Sequence, residues 1–129
     1  MNTTYWTSTA ITAFVLLSGG LADLAGADWA VAGIVALGYP AYLATILGVW
    51  KILGAVAITV PGHPRLKEWA YAGTVFDLSG AFASHLVAGS PWFHLAATST
   101  LLAVAGLSWA TRPASRRLAA TEERVAVPA

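Results

Sequence analysis

Leu66–Leu86 reads LKEWAYAGTVFDLSGAFASHL, a helix-length, largely apolar run with one aspartate, Asp77, near its middle. About 20 such residues cross the ~30 Å hydrocarbon core of a bilayer. An ionised carboxylate at that depth costs ~2.5 kcal/mol or more unless something compensates it. Upstream, Tyr42–Val60 reads YLATILGVWKILGAVAITV, and its only charged residue, Lys51, is also central. Consecutive spanning helices joined by a short turn run antiparallel, which sets their midpoints level. A buried Lys51–Asp77 pair is therefore expected. Ala70, Gly73, Thr74, Gly80, Ala81 and Ser84 surround Asp77 at helical spacing, and Ala44, Gly48, Gly54 and Ala55 surround Lys51. Stripes of small residues pack membrane helices closely, so both charges are expected to face inward. The same pair also admits a purely structural role, holding two helices together.

Working outward, the whole chain has the same character. It is 57% hydrophobic and 10% charged, where soluble domains carry roughly a quarter charged residues. The composition is that of a membrane protein of one domain. Nucleic acid is excluded as a partner by the lack of a basic patch outside short loops. With no cysteine, disulfides, thiolate metal sites and cysteine nucleophiles are absent.

Met1–Ala22 carries no Asp, Glu, Lys or Arg and is read as a retained first helix, since a secretory signal would open with basic residues. Thr4, Ser8 and Thr12 fall on one face and are expected to bond their own backbone. In DLAGADWAVAGIVALG (Asp23–Gly38), Asp28 is a candidate N-cap for a short apolar helix from Trp29. Ten apolar residues cover only ~15 Å, so this helix should lie in the interface with Trp29 and Tyr39 at headgroup level. Pro40 marks where the next helix can start. PGHPRLK and AGSP supply the later turns, and the last helix is Trp92–Ala110. The fold class is all-α: a polytopic four-helix membrane bundle with a short interfacial helix between helices one and two. Residues 1–111 form the transmembrane domain and 112–129 a polar, frayed cytoplasmic tail.

Arg65, Lys67, Arg112, Arg116 and Arg117 then share one side, opposite Asp23 and Asp28. By the positive-inside rule both termini are cytoplasmic, in the plasma (inner) membrane.

Residues Leu37–His85 carry a resemblance. Tyr39-Pro40, Lys51, the run Pro64 to Ala70 (PRLKEWA), and the following Asp77, Gly80 and His85 resemble the DoxX-like family of small four-helix membrane proteins. The resemblance implies a lipophilic small molecule, quinone-like, near the bundle, and a redox pathway with a soluble oxidoreductase partner. It hands over no catalytic residues.

The residues themselves leave three functions open. A binding module would use Lys51 and Asp77 as a polar floor, with Trp50, Tyr71, Phe76 and His85 as walls. An acid–base enzyme, performing isomerisation, cyclisation or epoxide opening on a hydrophobic substrate, would use Asp77 and Lys51 with His85, because desolvation moves buried groups toward the pKa such chemistry needs. The third is a structural or assembly subunit. Glu68 is nine residues before Asp77, about 180° around the helix, so the two form no dyad; it is expected to cap its helix. Trp69 and Tyr71 suit an interfacial belt. His85 and His94 should lie at similar depth across the Ala88–Pro91 turn, but two histidines fall short of a metal's usual three or four ligands, and no metal is expected. His63 is read as solvated. Haem is not favoured, and oligomeric state is open.

Overall fold

Glycine and proline decide where each helix stops. The computed structural model describes residues 3–118, and among them the chain forms helices and no strand. The helices are α1 (Thr3–Ala25), α2 (Asp28–Ala36), α3 (Leu43–Thr59), α4 (Pro64–Ala88) and α5 (Trp92–Ala110), followed by a 3-10 turn, Ala114–Arg116. Helix α1 runs past the expected Ala22 because Gly26 ends it. Gly26 adopts the left-handed conformation (φ +70°) that L side chains avoid. Its N–H reaches the Asp23 carbonyl at 3.2 Å and the Ala27 N–H reaches Ala22 at 3.0 Å, the double closure of a Schellman cap. Asp23 thus belongs to a helix rather than to the loop where the sequence placed it. Gly89 closes α4 in the same way, through Gly89 N–H to Leu86 and Ser90 N–H to His85.

Two other local expectations change. The N-cap of α2 is Ala27, with no side-chain bond, and Asp28 is the first helical residue, where its charge meets the helix dipole. Helix α3 begins at Leu43, after a turn that follows Pro40.

Helices α1 and α5 are each long and apolar enough to cross a membrane. Helix α3 is apolar with 17 residues, and α4 has 25. Each long helix packs on two others: α1 on α3 and α5, and α4 on α3 and α5, with α3–α4 the sparsest of the four contacts. Helix α2 touches only α1 and α3, at the end where α4 finishes and α5 begins. The buried apolar centre is Leu16, Ala55, Ile58 and Tyr71. As expected, Ser8 Oγ donates to the Thr4 carbonyl (2.7 Å) and Thr12 Oγ1 to Ser8 (2.8 Å).

The segment after Thr111, expected to fray, instead docks as far as it is described: Arg112 and Arg116 are both buried. The rest of the expected tail, residues 119–129, lies outside the described residues.

Candidate functional site

Helices α1 and α3 cross at glycine. A Cβ placed on Gly48 would stand 2.8 Å from the Gly20 carbonyl oxygen and the Leu24 nitrogen, closer than real Cβ contacts come, so the backbones touch. One turn beyond these glycines sit Asp23 and Lys51. Helical side chains lean toward the N-terminus of their own helix. Lys51 therefore leans along α3 toward the C-terminal end of antiparallel α1, passes Gly19, and donates from Nζ to Asp23 Oδ2 at 2.8 Å. Asp23 is buried and Lys51 half-buried.

This corrects the expected Lys51–Asp77 pair. Asp77 forms no ion pair among the described residues. The midpoints of α3 and α4 are level, but the two side chains lean toward opposite ends, which separates their charged heads. Asp77 instead faces Lys51 and Asp23 across a cavity of about 600 Å³. Thr12 and Thr74 add hydroxyls to its lining, and Val15, Leu16, Leu43, Leu47, Leu78 and Leu101 supply apolar wall. Helix α2 covers one end with Trp29, Gly33 and Ile34.

The small faces divide the work differently from expectation. Ala44, Gly48 and Ala55 of α3 are buried, and Gly48 packs on the α1 backbone rather than on α4. On α4, Gly73 and Gly80 have nothing within 4 Å of a Cβ position. Small residues there leave room instead of bringing backbones together.

At the histidine end, His85 and His94, expected only at similar depth, are in contact. Their rings stack with centroids 4.6 Å apart and planes 7° from parallel. His85 Nδ1 is 3.0 Å from Ser90 Oγ, and the Tyr39 and Ser84 hydroxyls bond at 2.6 Å. His85, His94, Tyr39 and Ser84 all line the cavity. Among the described residues no third His, Cys, Asp or Glu joins the two histidines.

Of the candidate walls, Phe76 borders the cavity, and Trp50 borders a groove on the other side of Lys51 and Asp77. Tyr71 borders neither. It is buried rather than interfacial, and its hydroxyl bonds Ser108 Oγ (2.7 Å), which bonds Thr9 Oγ1 (2.6 Å).

The opposite, basic end is plugged by cations whose ordering role the sequence did not reveal. Lys67 is 0% exposed and donates from Nζ to the carbonyls of Ala57 (2.9 Å) and Val60. Arg116 donates to the carbonyls of Ile58 and Thr59 at 3.2 Å and to the Tyr5 hydroxyl at 3.2 Å. Both thus neutralise the orphan carbonyls that end α3. Glu68 does not cap its own helix. It accepts from Arg112 Nη1 (2.6 Å) and Trp109 Nε1 (2.9 Å), tying α4 to the end of α5.

A sequence profile of the DoxX-like family matches residues 7–108. The chain belongs to the DoxX-like family. The matched span holds every residue of the cavity, including Asp23, Lys51, Asp77, His85 and His94, and stops before Arg112 and Arg116. Comparisons with curated proteins and with solved structures gave no match. For this DoxX-like chain the charged cavity residue that the sequence analysis did not place at the site is Asp23. Its signal was present: Gly26 as a helix stop places Asp23 inside α1, one turn from Gly20.

Proposed function

We propose that the chain is a polytopic four-helix membrane protein that binds a lipophilic, quinone-like small molecule in this cavity as part of a redox pathway. The observation that carries the reading is the cavity: about 600 Å³, mostly apolar, with Asp77 facing the Lys51–Asp23 pair in its lining. Ligand sites of this volume are characteristically apolar with a few placed polar groups. A quinone ring fits such a lining. Leucine side chains would cover its faces, and Lys51 Nζ or the Tyr39 hydroxyl would donate to a ring carbonyl. When bound, the quinone would supply the redox chemistry; the chain's residues would orient it and exclude water. A soluble oxidoreductase would be the electron-exchange partner.

The membrane setting follows from the same reading. With α1, α3, α4 and α5 as spans, the basic end faces the cytoplasm of a plasma (inner) membrane, and residues 112–129 are a cytoplasmic extension. A polar centre at mid-depth then has a functional reason to exist.

One observation favours a second reading, an acid–base enzyme on a hydrophobic substrate. Among the described residues Asp77 is not engaged in an ion pair, which leaves its carboxylate open to a proton on a bound molecule. His85 would then stand at the far side of the same cavity.

The test compares purified protein with its Asp77→Asn variant, a near-isosteric change. Organic extracts of each are read for a co-purified chromophore by ultraviolet absorption. The unaltered chain should carry one, and the folded variant should retain markedly less. Equal content in both, or none in either, counts against the reading.

A further inference from the structure

Helices α3 and α4, the loosest pair in the ring, leave a second concavity of about 600 Å³ on the face that looks outward. Its walls are exposed side chains, Trp50 and Leu53 from α3 and Leu66, Trp69 and Phe76 from α4. Gly73 hollows it out, with nothing within 4 Å of its Cβ position. From Leu66 to Asp77 it extends roughly 17 Å along α4 at 1.5 Å per residue.

The groove is not separate from the cavity. Leu16, Leu47, Lys51, Thr74, Phe76 and Asp77 line both. Lys51 and Asp77 thus stand at a junction, with the cavity lined by Asp23, Tyr39 and the two histidines on one side and an apolar trough on the other. A phospholipid in the groove would keep its charged headgroup at the interface near Leu66 and present only acyl chain to Lys51 and Asp77, leaving these polar groups without a partner from the ligand. A molecule with an uncharged hydrogen-bonding head and a single apolar chain suits this shape.

We infer that the ligand is such a head-and-tail amphiphile drawn from the bilayer. Its carbonyl- or hydroxyl-bearing head occupies the cavity beside Lys51 and Asp77, and its chain lies in the α3–α4 groove between Trp50 and Trp69. The inference rests on the ligand-binding reading and adds where the molecule enters and what shape it has. Because the chain exchanges lipid surroundings for an equally apolar groove, it contributes fit rather than hydrophobic driving force. Blocking the groove should therefore act by steric exclusion, and only on molecules that carry a chain.

The experiment uses the full chain in lipid nanodiscs and two probes, a dimethoxy-methyl benzoquinone without a chain and the same ring bearing a decyl chain. Bound probe is measured at equilibrium for the unaltered protein, for Gly73→Leu and for Leu53→Trp, which fill the groove from opposite walls. Each variant should bind the decyl probe roughly tenfold to a hundredfold more weakly, the scale of steric overpacking, and bind the chainless probe as before. Comparing variants with a single probe cancels its partition into lipid. If neither variant changes decyl binding, or both probes weaken equally, the groove does not hold the chain. If the unaltered protein binds neither probe, the cavity itself is not such a site, and the inference falls with that reading.

Discussion

Lys51 illustrates how a side chain's direction outweighs the depth of its backbone. Its ammonium is carried outward along α3 to Asp23 and leaves Asp77 facing the cavity. Removing one member of a buried pair typically costs ~3–5 kcal/mol, because the other charge is stranded. Lys51→Met should therefore lower thermal stability in detergent, and Lys51→Met with Asp23→Leu should recover part of the loss. The double variant with Asp77→Leu should recover little. Recovery in the Asp77 double variant instead would return the pairing to the one expected from depth alone. Such cycles isolate a pair only when each single change removes the contact without making another. The sequence made it legible that a charge in the middle of α3 needs a partner, because burial in lipid demands one. Which carboxylate answers depends on reach along the helix, and that is set by tertiary packing.

At the scale of elements, glycines of identical chemistry do opposite things. Gly48 lies in backbone contact with Gly20, whereas Gly73 opens onto empty space. Gly48→Ala should destabilise the fold by about 1–3 kcal/mol through overpacking against a backbone that cannot yield. Gly73→Ala should be neutral or gain up to about 1 kcal/mol from helix propensity. Thermal melts of the two single variants check this, and equal losses would deny the difference in packing. Helix ends were largely readable, because Pro91 before α5 and Gly89 after α4 punctuate the chain locally. The caps of α3 were not readable. Lys67 and Arg116 look like loop charges until the fold carries them back onto the last carbonyls of a helix nearly sixty residues away in the case of Arg116. Hydrogen bonds to charged groups are each worth ~1.5–3 kcal/mol. Arg116→Ala should destabilise by at least that amount, and Arg116→Lys, which loses the forked geometry, by part of it. A silent Arg116→Ala variant in the same melts would show that water serves those carbonyls equally well.

For the whole molecule, the proposed orientation puts the basic end in the cytoplasm. Reporter fusions after Val60 should give cytoplasmic signals, and fusions after Val87 periplasmic ones. The reverse pattern would overturn the orientation. Apolar run lengths made the two spanning-length helices α1 and α5 legible, whereas the cavity was not, because empty volume arises between helices and leaves no residue to mark it. The docking of Arg116 also has a consequence for biosynthesis. Its contact with the Tyr5 hydroxyl joins positions 111 residues apart, so α1 has been made long before this partner leaves the ribosome. Until then, the carbonyls ending α3 and the hydroxyl of Tyr5 wait without that guanidinium. The nascent protein is in this sense an open ring, and the step that fastens it comes only after α5 has been translated. Ribosome-stalled chains ending before and after Arg116 would differ at that moment of closure, a late checkpoint written into the order in which the residues appear.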